Sequence, residues 1–453
     1  MPVYGSKVPG RSDLYCYFQL LCPAYLNSKG TFCYIISNSW LDVDFGSYVQ
    51  HFLLKHTNLY AVYDCNVRSF DAKVNTIVYL HSALQNTSEK RDGFYKTLQP
   101  VDNTVQFVMN KIDYTEAAYA PLLLEQEHCH KNTFKDLYRV ITLTQKELYA
   151  AGYDDEQVQH TGDKWGGKYL RAPEIYYTIL KKGKHKLVRL GDVADVRFGI
   201  KTGANEFFYL DQVAIDKWDI EEEFLVPVFK GPKDSKTIQI YRKDLSLNLF
   251  YCHKTRKELN GTNALKYIQW GEREKFNERP SCKGRTNWYD VGVREISLGV
   301  FPSGFGEIFR FFLNKKFLID KRLYEIYTHD ENVLAVLNSS LTPFMMEVNS
   351  RTGLGDGLLD YTVYEAKNVL IADFAKKQKI EYNFKREIQN IFLELGFDKT
   401  QPIREQQPNP LPDRKELDDI IFDEIGLTND ERNEIYWSVA ELVQQRINKA
   451  ASR

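Results

Sequence analysis

The stretch TFCYIIS at 31–37, followed by FGSYVQHFLLKHT at 45–57, decides the fold class of this 453-residue chain. A short apolar run rich in β-branched and aromatic residues is typical of a buried strand, and apolar residues at helical spacing predict a helix packed beside it. A helical pattern over 11–26 precedes this pair, and two more strand patterns, NLYAVYDC and KVNTIVYLHSA, follow it. The order helix, strand, helix, strand, strand predicts the second half of an open α/β sheet.

Beyond this sheet the character of the sequence changes twice. Residues 101–185 mix polar stretches with a short helical pattern, and from 186 onward strand-like stretches such as EFFYLDQVAI and TIQIYR are broken by Gly, Pro, Asn and Asp. The tail is helical, with Thr428 and Glu431 at capping-box spacing and the polar, exposed linker TQPIREQQPNPLPDRKE before them. We therefore predict an incomplete α/β domain over 1–130, a bridging region over 131–185, a mixed α+β domain over 186–375 and a helical tail over 376–453.

Charge and cysteine usage exclude several classes of protein. The formal net charge of -1 excludes a globally basic nucleic-acid coat, so DNA contact requires a local patch; KKGKHKLVR at 181–189 is one, although a solvated face also explains it. The seven cysteines form no CxxC pair and EHCH at 127–130 has no second half, so we expect no metal and a reducing compartment. Without a signal peptide or an apolar run of bilayer length, we expect a cytoplasmic protein with no membrane contact.

Seven stretches resemble, in order, the TaqI-like adenine-specific DNA methyltransferases, especially the long versions found in type IIG restriction-modification enzymes. They are SDLYCYF, GTFCYIISNSWLDVDFG, SFDAKVNTIVYL, LRAPEIYYTIL, VRFGIKTGANEFFYL, VLAVLNSSLTPF and DRKELDDIIFDEIGLTNDERNEIYWSVAELVQQRINKA. The resemblance implies that 1–130 is the C-terminal half of a Rossmann-like methyltransferase domain and that 186–375 is a target recognition domain. It also implies S-adenosylmethionine as the methyl donor and double-stranded DNA as the partner.

The opening quartet Met1-Pro2-Val3-Tyr4 resembles a degenerate copy of the family's Asn-Pro-Pro-Tyr loop, with a chance turn behind a start codon as the alternative. An adenine must leave the duplex before its amine can be methylated. Because this amine is a weak nucleophile, hydrogen-bond acceptors directed at its hydrogens must make its lone pair more reactive. By resemblance, the Tyr4 ring covers one face of the base and the Val3 carbonyl is one acceptor. Met1 stands at the Asn position, and because a thioether is a weak acceptor, the main activating residue is missing.

Two further residues are candidates for binding the target adenine. Phe70 stands where the family has an aromatic residue that stacks on the other face of the base, with a core Phe between two strands as the alternative. Asn38 follows the strand TFCYIIS, at the C-terminal edge where open α/β sheets carry their sites. Trp40 follows the same strand, and we interpret it as a packing residue.

The methyl donor is expected to bind outside this chain. No strand followed by a glycine-rich turn precedes Gly30, and the family's cofactor site lies upstream of its Asn-Pro-Pro-Tyr loop. The glycine cluster RTGLGDG at 351–357 falls in the predicted recognition domain, where a loop near DNA is favoured over a nucleotide site. We therefore expect the S-adenosylmethionine-binding half to be absent and the chain alone to be inactive.

The predicted recognition domain holds the candidates for reading DNA. Lys201, Thr202 and Asn205 lie on a glycine-flanked turn that can approach an anion, with an ordinary polar β-turn as the alternative. Arg285 is the residue expected to contact a guanine edge. Phosphate contact or solvation is the alternative for each cation. The other candidates are Lys230, Lys233, Trp288, Arg351 and Lys321.

Three hypotheses about function follow from these patterns. The first is a split enzyme, in which a separate polypeptide supplies the S-adenosylmethionine half while this chain supplies sheet completion, base stacking and sequence choice. The second is a piece of a complete methyltransferase, and the third is a degenerate, non-catalytic DNA-binding module. Because half a sheet exposes a strand edge and an apolar face, we expect the isolated chain to aggregate or to pair with a partner.

Overall fold

The computed structural model describes residues 10, 12–43, 45–65, 75–84, 100–112, 116–128, 131–135, 137–155, 158–350, 357–374, 379–381 and 384–451. The chain divides into two compact units. Unit 1 comprises Met1–Thr178, Met346–Leu359 and Glu441–Arg453, and unit 2 comprises Ile179–Met345 and Asp360–Ala440. With several sheets and many helices, the protein is of the mixed α/β class, as the sequence predicts.

Unit 1 is built on a six-stranded sheet with the strand order β1-β3-β2-β4-β6-β5. Its strands are β1 (Thr31–Ser37), β2 (Leu59–Cys65), β3 (Thr76–Ser82), β4 (Thr104–Asn110), β5 (Thr133–Phe134) and β6 (Tyr138–Thr144). β2 and β4 run parallel, whereas the other neighbouring pairs are antiparallel. The predicted order of the first five elements is confirmed by α1 (Leu14–Leu21), β1, α2 (Gly46–His56), β2 and β3.

Residues 116–182 also form helices and a short hairpin outside this sheet. They are α3 (Glu116–His128), α4 (Gln145–Ala151), the hairpin β7 (Tyr153–Asp154) and β8 (Gln159–His160), a π-helix (Gly166–Arg171) and α5 (Glu174–Lys182). The core of the unit is aromatic: the fully buried Trp40 ring lies 5.6 Å from Tyr79 and 5.9 Å from Trp165, centroid to centroid. The interpretation of Trp40 as a packing residue is thus confirmed.

Unit 2 contains two four-stranded sheets, with the orders β10-β18-β14-β16 and β11-β13-β12-β17. Its strands, with β19 reaching the boundary of the unit, are β9 (Leu187–Arg189), β10 (Asp195–Phe198), β11 (Tyr209–Leu210), β12 (Leu225–Phe229), β13 (Asn248–Phe250), β14 (Gly299–Pro302), β15 (Gly304–Phe305), β16 (Phe312–Leu313), β17 (Leu318–Ile319), β18 (Leu323–Tyr327), β19 (Leu359–Asp360) and β20 (Leu370–Ala372). Between them lie α6 (Leu190–Val193), α7 (Asn205–Phe208), α8 (Gln212–Trp218), α9 (Asn263–Arg273), α10 (Pro280–Lys283), α11 (Asn332–Leu337), α12 (Leu341–Asn349) and α13 (Val363–Lys367).

Two strand-like stretches of this unit are only partly extended. EFFYLDQVAI forms α7, the two-residue β11 and the start of α8, because the Asp211 carboxylate accepts from the Ala214 N–H at 2.9 Å and caps the second helix. TIQIYR forms only a single β-bridge, between Gln239 and Leu313. Aromatic and β-branched content is therefore a weak guide where a capping residue starts a helix.

The tail forms the helices α14 (Ile391–Leu395), α15 (Pro412–Ile425) and α16 (Asn429–Ala451). The predicted capping box is confirmed, since the Thr428 N–H donates to the Glu431 carboxylate at 2.7 Å and the Glu431 N–H donates to the Thr428 hydroxyl at 3.3 Å. The prediction of an exposed linker is wrong at Ile403 and Arg414, which are buried. Arg414 is buried because its guanidinium pairs with Glu394 at 2.7 Å. None of the helices in the described ranges is both long and apolar enough to cross a bilayer.

Candidate nucleic-acid interface

The predicted DNA-reading turn follows β10 directly. We call residues Gly199–Ala204 the recognition turn. The N–H of Lys321 donates to the carbonyl of Ile200 at 3.1 Å, which joins the turn to the segment between β17 and β18. A Cβ at Gly199 would lie 2.3 Å from the carbonyl oxygen of Asp320. Only glycine therefore allows the backbone at 199 and the backbone at 320 to come this close. The start of the recognition turn is thereby fixed in position.

Arg285 holds the middle of the recognition turn. Its Nη2 donates to the carbonyl oxygens of Lys201 at 2.6 Å and Thr202 at 2.8 Å, and its Nη1 donates to the carbonyl of Trp288 at 3.2 Å. Its partial burial lowers the pKa of the guanidinium below its ordinary value. The expected contact between Arg285 and a guanine stays a prediction, because here the terminal guanidinium nitrogens bind the protein's own backbone.

The remaining predicted residues near the turn have different environments. The Thr202 hydroxyl is buried and donates to the Asn205 side-chain oxygen, while Asn205 itself is exposed. Trp288 is buried, its indole N–H donates to Glu272 at 3.0 Å, and its ring centroid lies 4.6 Å from that of Phe207. Asn205 is thus open to a ligand, whereas Trp288 packs in the core of unit 2.

Four exposed cationic residues lie on backbone segments that neighbour each other at the recognition turn. The Asp320 N–H donates to the Phe229 carbonyl at 3.1 Å, and Asp320 forms a β-bridge with Ile200, so these three backbone positions lie side by side. A lysine follows each of them in sequence, and an arginine follows the lysine after Asp320. We call these four cations the basic edge. The basic edge consists of Lys201, Lys230, Lys321 and Arg322, all exposed.

Among the residues that the structure describes, no ion pair neutralises the charges of the basic edge. Across the described ranges, none of its four side chains lies within 4.0 Å of a carboxylate, whereas the nearby Arg279 pairs with Glu206 at 2.7 Å. Lys230 has its ammonium 5.2 Å from the centroid of the Tyr209 ring. Lys233 is exposed on the adjoining loop, which the Asp234 carboxylate closes by accepting from the Lys230 N–H at 2.9 Å. The result is a concentrated positive surface on a chain of net charge -1.

Asn38 lies in unit 1, at the C-terminal end of β1, where it begins a 3₁₀ turn (Asn38–Leu41). Its N–H donates to the carbonyl of Asn75 at 3.0 Å, next to the start of β3. The neighbouring Ser39 hydroxyl lies 2.5 Å from the Tyr15 hydroxyl, whose pKa burial raises to about 12. Several hydrogen-bonding side chains therefore line this end of the sheet.

Four predicted site residues lie outside the described residues: Val3, Tyr4, Phe70 and Arg351. Cys129 and His130 of the EHCH cluster and most of RTGLGDG also lie outside them, while His128 is described and exposed. In the described part of the chain no group of three or more His, Cys, Asp or Glu side chains could hold a metal ion.

Sequence reasoning did not single out Phe198 and Arg322, which both adjoin the recognition turn. Phe198 ends β10 and stands directly before Gly199, and 55% of its surface is exposed. Arg322 follows the predicted Lys321. An apolar residue in a strand-like stretch is normally assigned to the core, so nothing in the sequence alone distinguished Phe198 from its buried neighbours.

The chain is similar to methyltransferases of restriction-modification systems. Residues 162–400 match the model of the C-terminal domain of the type II methyltransferase M.Eco57I, and residues 3–70 match that of the Eco57I restriction-modification methylase. The type II methyltransferase M.AccI of Acinetobacter calcoaceticus is 25% identical over 414 residues, which cover 86% of this chain and 67% of the relative.

A solved structure, the type IIG restriction endonuclease BpuSI, superposes on 98% of this chain with 12% identity and a TM-score of 0.43, and the chain spans half the length of that endonuclease. The M.Eco57I model alone covers more than half of the chain. The predicted resemblance to a restriction-modification DNA methyltransferase is thereby confirmed. The chain belongs to the family of type II methyltransferases represented by M.Eco57I, the Eco57I restriction-modification methylases.

Proposed function

We propose that this chain recognises double-stranded DNA for an S-adenosylmethionine-dependent, adenine-specific methyltransferase of a cytoplasmic type IIG restriction-modification system. The observation that supports the proposal is the basic edge, four exposed cations without ion-pair partners among the described residues, beside a turn fixed by Arg285. A protein of net charge -1 needs such a local patch to bind a polyanion. In this proposal residues 186–375 are the target recognition domain.

The cations of the basic edge serve as phosphate contacts. Ammonium and guanidinium groups that neutralise phosphates release counterions, which favours binding at low salt and sets the register of the protein on the duplex. The hydrogen bond from Arg285 to the Lys201 carbonyl fixes the backbone of Lys201, and the Lys201 ammonium contacts a phosphate from this fixed position. The exposed Asn205 and Lys233 are proposed as further contacts to phosphates or base edges.

The target adenine is proposed to bind at unit 1, in the predicted half of a Rossmann-like domain at 1–130. In this proposal Tyr4 and Phe70 stack on the two faces of the adenine, and the Val3 carbonyl accepts from its amine. Asn38 binds the adenine from the end of β1. The hydrogen-bonding side chains Ser39 and Tyr15 beside Asn38 support a polar binding surface there. Open α/β sheets carry their sites at this edge.

The described residues at this end of the sheet do not fit S-adenosylmethionine. Its ribose and amino-acid groups need free acceptors. The two described carboxylates that follow β1 or lie within β2 are engaged: Asp42 pairs with Arg171 at 3.2 Å, and Asp64 pairs with Lys449 at 3.3 Å. We therefore propose that the cofactor-binding half is supplied by polypeptide outside these residues. The chain alone is then inactive.

The edge strand β1 supports this proposal. Among the described strands, β1 pairs only with β3 and is an edge strand of the sheet. Ile35 within β1 is 53% exposed, and Leu14 and Phe18 of α1 are 68% and 49% exposed. A free strand edge with exposed apolar residues on its strand is suited to pairing with a further strand, as a separate cofactor-binding chain would provide.

A second candidate function is a non-catalytic DNA-binding module from a degenerate methyltransferase. The observation that favours it is the same engagement of Asp42 and Asp64 in ion pairs. In this case the basic edge still binds DNA, but no partner restores methyl transfer.

Isothermal titration of the purified chain tests DNA recognition by the basic edge and the proposed absence of the cofactor half. We expect a mixed-sequence duplex to bind with an affinity that falls steeply between two salt concentrations, and S-adenosylmethionine to give no heat. Stoichiometric cofactor binding would contradict the proposed absence of the cofactor half. Duplex binding that is absent or insensitive to salt would contradict DNA recognition by the basic edge.

A further inference from the structure

Phe198 presents an aromatic ring to solvent from a rigid support. The ring is 55% exposed, although Val196 in the same strand is buried. Its centroid lies 5.2 Å from that of Tyr324, its cross-strand partner, with the ring planes at 85°. Tyr324 is itself buried, and its hydroxyl donates to the carbonyl of Tyr361 at 2.7 Å. One side of the Phe198 ring is thus held by a fixed edge-to-face contact while the rest remains available to a ligand.

The position of Phe198 distinguishes it from other exposed apolar residues. It directly precedes the recognition turn, and the N–H of the next residue, Gly199, donates to the carbonyl of Leu323 at 3.1 Å. Leu323 follows Arg322 of the basic edge, and Lys201 lies three residues beyond Phe198. Single exposed apolar residues are common and need no function. Phe198 thus stands on backbone that adjoins cations without ion-pair partners among the described residues. An aromatic ring together with such cations is the combination by which proteins bind the bases and phosphates of one nucleic-acid strand.

We propose that Phe198 stacks on a nucleobase of the bound DNA, at a base step opened within the duplex, while the basic edge holds the adjoining phosphates. The inference rests on the proposed function of DNA recognition. Every base has a π-face that an aromatic ring can cover, so an aromatic side chain inserted at a base step stabilises its unstacked form by stacking. A methyltransferase that extrudes an adenine leaves such an opened step behind.

The test compares variants of the full chain by fluorescence anisotropy on two labelled duplexes of the same sequence, one fully paired and one with a central abasic position. Phe198→Ala should weaken binding to the abasic duplex about tenfold. The slope of log affinity against log salt should stay that of the wild type, because the cations are unchanged. Phe198→Trp should bind like the wild type, and Phe198→Leu, which keeps apolar bulk without a ring, should bind like Phe198→Ala.

Leu393→Ala is the matched control, since Leu393 is 53% exposed on α14 and should not affect binding. Thermal melting of each variant checks its fold. If Phe198→Ala or Phe198→Leu binds the abasic duplex as tightly as the wild type, stacking by Phe198 is wrong, while salt-sensitive binding of the wild type still supports the proposed function. If the wild type binds neither duplex, DNA recognition fails and the stacking role is rejected with it.

Discussion

The Nη2 atom of Arg285 lies 2.6 Å from the carbonyl oxygen of Lys201, so one cation expected to read DNA holds the backbone of another. The same nitrogen also donates to the Thr202 carbonyl at 2.8 Å. A planar guanidinium can serve neighbouring carbonyls from one fixed position, which a flexible ammonium cannot do. Arg285 therefore acts as a positioning residue for the recognition turn.

Replacing Arg285 by Lys should loosen this turn while keeping the positive charge. Because the carbonyls of Lys201, Thr202 and Trp288 lose donors, we expect the free energy of unfolding to fall by about 1–3 kcal/mol. Duplex affinity should fall as well, without a change in formal charge. Urea unfolding and anisotropy titration measure the two effects. Arg279→Lys, which alters an exposed pair with Glu206, is the control and should change stability by less than about 1 kcal/mol.

Lys201→Ala should remove one phosphate contact. We expect the slope of log affinity against log salt to decrease by about 1, with a similar loss of affinity for every duplex sequence. Lys236→Ala is the control, since Lys236 is exposed but paired with Glu387 at 3.5 Å. A salt slope that is equal in Lys201→Ala and the wild type would show that Lys201 does not contact phosphate.

The sequence predicts more of the fold than of the candidate interface. The first five elements of unit 1 follow from apolar periodicity, which acts between residues close in sequence. The hydrogen bonds between Arg285 and the recognition turn join segments that are far apart in sequence. No local sequence pattern distinguishes a guanidinium that binds backbone from one that binds DNA. Trp288 shows the same limit, because its burial depends on Phe207 and Glu272 rather than on the residues beside it.

Glu325 predicts a pH dependence of stability. Its carboxyl group is buried in β18, and burial raises its pKa from the ordinary 4.5 to about 7. Between these values the folded state holds the proton and the unfolded chain does not, so the free energy of unfolding should fall as the pH rises through about 4.5 to 7 and then level off. Each unit of pKa difference corresponds to about 1.4 kcal/mol.

Glu325→Gln should remove this component and make the protein more stable than the wild type above pH 7 or so, because an amide carries no charge to bury. Urea unfolding near pH 5 and near pH 8 measures the change. Glu295→Gln is the control, as its side chain is 80% exposed. If the wild type and Glu325→Gln lose the same stability between the two pH values, the protonation of Glu325 is not the cause.

Breaking the buried pair of Arg414 and Glu394 should cost unit 2 far more stability than breaking an exposed pair of similar geometry costs. Their side chains are 3% and 1% exposed, the Nε–Oε2 distance is 2.7 Å, and the guanidinium also donates to the Asn338 carbonyl at 3.0 Å. Arg414→Met leaves a buried carboxylate with one fewer partner, so we expect the free energy of unfolding to fall by about 3 kcal/mol.

Arg404→Met is the matched control for this prediction. Arg404 also pairs with a glutamate at 2.7 Å, but its side chain is 44% exposed, so water replaces the lost partner and the expected cost is at most about 1 kcal/mol. Both variants are compared by urea unfolding at one pH. Equal losses in the two variants would mean that burial does not set the strength of the Arg414 pair, and that Arg386, which also contacts Glu394 at 2.6 Å, compensates for the missing guanidinium.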